Sequence, residues 1–145
     1  MLPASDMTSQ PPTSARKSAH TAASLGMLGL LGVQFLFGMA TNLFVTLPSS
    51  GIGMMEMMHG GPLVMIHIML GIILAIGAVF AVAAAAQYGY WAIVWAVISL
   101  GGILVAGIGG LIFLLDGLSN GASFLMAVGF LVTVTGYIAD LAKGT

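Results

Sequence analysis

Apolar residues along this chain come in long runs rather than in alternation or in narrow stripes. Four stretches, at about 25–47, 62–86, 91–115 and 122–142, hold no charged residue but Asp140, and the other charged residues lie in the terminal segments and in the links that carry Glu56 and Asp116. A helix that is apolar all round is buried in protein or in lipid, and roughly 21 to 25 residues at 1.5 Å each suffice for about 30 Å of hydrocarbon. The pattern predicts an all-α protein, an integral membrane four-helix bundle. Pro62 falls in the first turn of the second stretch, where a proline is tolerated. The first stretch is too long for the apolar region of a signal peptide and reads as a helix that stays. Residues 1–20 hold Pro3, Pro11 and Pro12, several Ser and Thr and no apolar period. They read as a disordered cytoplasmic tail, which leaves 21–145 as the four-helix domain.

Connection lengths set the topology. Residues 87–90 and 116–121 are short links, so the second and third helices, and the third and fourth, are antiparallel neighbours. The link PSSGIGMMEMMHGG at 48–61 is the longest and has room for function. With four spans Arg16, Lys17 and Lys143 fall on one side, and the positive-inside rule puts both termini in the cytoplasm. Tyr88, Tyr90, Trp91, Trp95 and Tyr137 land near that same interface, as an aromatic belt does. The links carrying Glu56 and Asp116 are then external, and the expected location is the cell membrane, crossed several times.

Composition sharpens this picture mainly by exclusion. Across 145 residues 59% are hydrophobic and 5% charged, with a mean hydropathy of +1.13, far too little charge to clothe a water-facing surface. Three Lys and Arg against four Asp and Glu leave no basic patch, which argues against nucleic acid and against a polybasic headgroup reader. The absence of cysteine removes disulfides, thiolate metal sites and cysteine nucleophiles. Glycine is frequent, and Gly26, Gly29 and Gly32, Gly71 and Ala75, and Gly102, Ala106 and Gly110 form small-residue tracks that allow close helix approach. Such tracks serve packing within the bundle or contact with another membrane subunit or a second copy.

Few residues carry chemistry. His67 is the ionisable group deepest in an apolar run, about six residues from the start of its helix, and Asp140 with Lys143 reads as a terminal i, i+3 pair without a role. Counting inward from the other helix ends puts Thr41 and Asn42, Gly109 and Gly110, and Met126 at the depth of His67. Two readings of this layer stand side by side. In one, His67 hydrogen-bonds Asn42 or a backbone carbonyl and Met126 is ordinary packing. In the other, His67 and Met126 are the axial ligands of a haem b, with Asn42 in the same layer and glycines making room for the macrocycle.

The stretch QFLFG at 34–38, followed by a loop and then LVMIHIMLG at 63–71, resembles the helix pairs of the haem A synthase family. Members of that family consist of two similar four-helix halves, with Gln-x-Leu-x-Gly near the middle of one helix and a haem-ligating His in the next. The resemblance covers about half the chain and implies haem ligation at His67. Met126 stands near the place of the family's second His, and Glu56 and His59 are separated by two methionines where the family joins a Glu to a His.

A second constellation, Met54, Met55, Met57, Met58 and His59, lies in the external link, with Met65 and Met69 below it. Thioethers and imidazole suit Cu(I); a Met cluster is equally flexible apolar filler. Flanked by Gly51, Gly53, Gly60 and Gly61, this segment is expected to fold over the bundle as a cap above Asn42 and His67, with Glu56 outward. No phosphate-binding loop, His-Glu-x-x-His, Gly-x-Ser-x-Gly or pair of intramembrane carboxylates is present. The chain therefore reads as a membrane protein without catalytic activity, an accessory or structural subunit held by its glycine faces against other membrane subunits or itself. The alternative is a b-type haem protein built on His67.

Overall fold

The structure, a computed structural model, describes residues 13–45, 61–115 and 120–144. It contains four helices, α1 Thr13–Phe44, α2 Gly61–Ala85, α3 Tyr90–Leu115 and α4 Asn120–Gly144. Each is long and apolar enough to cross a membrane. The main departure from expectation is α1. It starts at Thr13, so residues 13–20, assigned to a disordered tail, are helical. Pro11 and Pro12 are the last residues able to break a helix before it; Ala15, Arg16, Lys17 and Ala19 beyond them are good helix formers. The same helix ends at Phe44, three residues short of the expected 47, and this shift matters for the site below.

The helices form a ring in chain order. α1 packs on α2, α2 on α3, α3 on α4 and α4 back on α1, while the diagonal pairs make no close backbone approach among the described residues. A small apolar core of Leu31, Leu74, Ala78, Ile103 and Tyr137 draws one side chain or more from every helix. Large apolar side chains such as Leu36, Phe80, Phe124 and Leu131 point outward instead. This inverted distribution is costly in water and natural against hydrocarbon, where hydrophobicity drives no helix association and close packing must do so.

That close packing is greatest between α3 and α4. Trp95, Ser99, Gly102, Ala106 and Gly109 recur at spacings of four and three, and so do Ala122, Met126, Gly129, Thr133 and Gly136 on the antiparallel partner. A Cβ at Gly129 would lie 2.5 Å from both Ala106 N and Gly102 O, so backbone meets backbone there. The Thr133 hydroxyl shares its one proton between Gly129 O at 2.8 Å and Ser99 O at 3.2 Å, and Ser99 Oγ donates back to Thr133 O at 3.4 Å. Both hydroxyls are buried and satisfied, and the pair is stitched as well as packed.

Between α2 and α3 the chain reverses in a few residues. Gln87 N and Tyr88 N donate to Ala84 O and Ala85 O, and Gly89 takes a φ of +109° that an L side chain rarely adopts. The turn brings Tyr88 and Tyr90 to the end where α1 begins and α4 finishes.

Candidate functional site

His67 sits one and a half turns into α2 and faces α1. Its ring fills the notch of a glycine: a Cβ at Gly38 would lie 2.8 Å from the imidazole Cε1. Gln34, one turn earlier on α1, lies in the corresponding notch of α2, where a Cβ at Gly71 would be 3.3 Å from its Nε2. The two helices interlock reciprocally, Gln34 and Gly38 against His67 and Gly71, each polar side chain seated on the other helix's glycine. Gln34 Nε2 donates to His67 Nε2 at 3.5 Å, the long limit of a hydrogen bond. With Nε2 accepting, a neutral imidazole carries its proton on Nδ1. Three buried atoms of this layer have no hydrogen-bond partner: His67 Nδ1, Gln34 Oε1 and Thr41 Oγ1. The α1–α2 contact thus leaves buried polar atoms on both helices whose hydrogen bonding is incomplete.

Two expectations for this layer change. Asn42 is exposed and stands outside it; Gln34 is the partner of His67. The depth count had run from residue 47, whereas the same six-residue step taken from Phe44, the observed end of α1, arrives at Gly38. Met126 lies against α3, where a Cβ at Gly109 would be 3.0 Å from its Cγ and one at Gly110 3.6 Å from its sulfur. His67 thus belongs to the α1–α2 contact and Met126 to the α3–α4 contact, and the structure does not bring the two together. Met54, Met55, Met57, Met58 and His59, with the expected cap they form, lie outside the described residues, as does Asp116. Met65 and Met69 point outward from α2.

The opposite end of the bundle carries a second polar cluster that local sequence reading did not assemble. Asp140, far from a spare terminal group, is 7% exposed and accepts a hydrogen bond from Ser24 Oγ at 2.8 Å. His20 Nε2 is 2.9 Å from the same carboxylate, and its ring stacks on Tyr88 with centroids 4.4 Å apart. Lys143, expected to pair with Asp140, lies over the Trp91 ring instead, with Nζ 4.2 Å from its centroid. The cluster joins residues 120 positions apart, and His20 had been placed in the tail.

Ser24, His20 and Asp140 are the residue types of a hydrolytic triad, wired differently. The hydroxyl gives its proton to the carboxylate, and the imidazole binds that carboxylate too, so no base faces the serine oxygen. The arrangement ties α1 to α4 and places the first residues of α1 beside the last of α4. Two open clefts adjoin it, one of about 310 Å³ lined by Lys17, Trp91, Trp95 and Lys143, the other of about 380 Å³ lined by Met27, Leu30, Phe80 and Tyr137. His20, Tyr88 and Asp140 line both.

No family model, curated protein or solved structure matches the chain.

Proposed function

We propose that the chain is a multi-pass protein of the cell membrane, both termini cytoplasmic, that works without catalysis as an accessory subunit by holding another transmembrane helix on the outer face of α1. The orientation follows from Arg16, Lys17 and Lys143, all at the end where α1 begins and α4 finishes.

One observation carries the reading. Leu25, Gly29, Gly32, Leu36, Met39 and Leu43 stand at spacings of four and three along α1, the same rhythm that packs α3 on α4, and all six are exposed. A Cβ built on Gly29 or Gly32 meets nothing within 4 Å. Two adjacent glycines on a lipid-facing helix stripe lower helix propensity and add nothing to contact with acyl chains, but they let a second backbone approach. The partner is a subunit of a larger complex or a second copy of this chain.

Extraction from native membranes in mild detergent tests this. The wild-type protein is expected to migrate with a partner or as an oligomer, and Gly29→Leu/Gly32→Leu to release it as a monomer of unchanged helicity, since both positions have room for a side chain. A lone wild-type monomer, or a double variant that assembles as the wild type does, overturns the reading.

A further inference from the structure

All three cations of the chain, Arg16, Lys17 and Lys143, lie in the first turns of α1 or the last of α4, and among the described residues Asp140 is the only carboxylate near them. Asp140 is already occupied by Ser24 and His20. Lys17 has no carboxylate partner among the described residues. Lys143 is held above Trp91, a contact with the ring's π face that uses none of the three N–H donors in a hydrogen bond to an anion. Both ammonium groups line the same cleft, walled by Tyr90, Trp91 and Trp95.

The apolar cleft shares His20, Tyr88 and Asp140 with this one as common walls, and its other walls include Met27, Leu30, Phe80 and the small residues Gly77 and Ala84. Trp95 lines the polar cleft and Tyr137 the apolar one, and each holds a buried donor, Trp95 Nε1 and Tyr137 Oη, without a hydrogen-bond partner. Along α4 the site therefore changes from cation at Lys143 to unpaired donor at Tyr137, six residues or about 9 Å deeper, and then to apolar wall.

We infer that this end of the bundle binds one anionic phospholipid, its phosphate between Lys17 and Lys143, its ester carbonyls toward Trp95 and Tyr137, and an acyl chain in the apolar cleft. A phospholipid presents anion, then acceptor, then hydrocarbon in that order, which is the order of the site. Free phosphate satisfies only the first of the three. A zwitterionic lipid carries the same acceptors and chain but brings its own cation to a cleft that already holds two. The lipid site is distinct from the stripe of Gly29 and Gly32, neither of which lines either cleft.

Native mass spectrometry of the full chain in detergent, with phosphatidylglycerol and phosphatidylcholine of identical acyl chains supplied in equal amounts, decides it. Phosphatidylglycerol is expected to be retained roughly tenfold or more over phosphatidylcholine. Lys17→Gln/Lys143→Gln is expected to bring the two lipids to parity, and Lys17→Arg/Lys143→Arg to keep the preference. Ala84→Trp, which fills the apolar cleft from an exposed position, is expected to lower phosphatidylglycerol retention with the cations intact. Equal retention of the two lipids by the wild type, or a preference that survives the glutamine pair, overturns the inference. Glycerol phosphate bound as well as the lipid overturns it too, assigning the cleft to a soluble phosphate. Should the glutamine pair fail to fold, the wild-type preference and the arginine pair still decide.

Discussion

The α3–α4 hairpin and the α1–α2 pair use glycine for different ends. On α3 and α4 the glycines bring backbones together: Gly102, Gly109, Gly129 and Gly136 meet main-chain atoms of the other helix, and the two buried hydroxyls of Ser99 and Thr133 are satisfied. On α1 and α2 the glycines seat polar side chains, Gly38 under His67 and Gly71 under Gln34, and three buried polar atoms remain open. Along its middle the first pair is finished by its own contacts, and its open polar atoms, Trp95 Nε1 and Tyr137 Oη, belong to the end where α4 finishes. The second is closed sterically and left incomplete in hydrogen bonding at its glycine contact itself.

The largest expected effect comes from filling the tightest notch. Gly129→Leu places its first carbon 2.5 Å from Gly102 O and Ala106 N, and neither main-chain atom can move unless the helices part. Overpacking against backbone is expected to cost about 3 kcal/mol or more, read as loss of the folded bundle in detergent denaturation. Gly107→Leu is the matched control, since a Cβ there meets nothing within 4 Å, and it is expected to change stability by less than about 0.5 kcal/mol. If both variants behaved alike, the α3–α4 contact would not be the stiff half of the molecule.

Reading glycines by spacing alone does not separate these cases. Gly26, Gly29 and Gly32 on α1 look like Gly102, Ala106 and Gly110 on α3, yet a Cβ at any of the three α1 glycines meets nothing within 4 Å, whereas Gly102 and Ala106 are in the helix contact. Spacing reports that a helix can be approached; only the ring order says by what. The four helices were legible because a charge-poor apolar run of more than twenty residues has few physical interpretations. His67 was legible for a similar reason, being an ionisable group in an apolar run, whereas Gln34 and Gly38 stood out only as a short motif. Their pairing was not, because it depended on where α1 ends to within three residues. The Asp140 cluster was hidden more deeply: nothing local distinguishes a carboxylate that caps a helix end from one that ties the first helix to the last.

A smaller effect tests the stitching. Thr133→Val keeps the shape of the side chain and removes the one proton its hydroxyl shares between Gly129 O and Ser99 O. Both acceptors are backbone carbonyls, and Gly129 O retains its place in the α4 ladder. The expected loss is about 1 kcal/mol, in the range of interhelical hydrogen bonds between membrane helices. A loss nearer zero would mean that the glycine contacts alone hold α3 to α4, and would move the two halves of the molecule closer in kind.

The smallest expected change belongs to His67→Leu, and it probes the incomplete half directly. The imidazole contributes one hydrogen bond at 3.5 Å and leaves its other nitrogen buried without a partner, so little polar energy is lost when both are removed. Leucine is similar in bulk and occupies the notch over Gly38 that the ring fills. Gln34 loses its contact, which His67→Leu/Gln34→Leu corrects by making the whole layer apolar. The single variant is expected within about 0.5 kcal/mol of the wild type, and the double variant at or above wild-type stability, both measured in the same detergent titration. A loss above about 2 kcal/mol from the single variant is incompatible with an imidazole that has one weak partner. It would mean that His67 binds a group in the membrane-extracted protein, and a Soret band present in the wild type and absent from the variant would identify that group as haem.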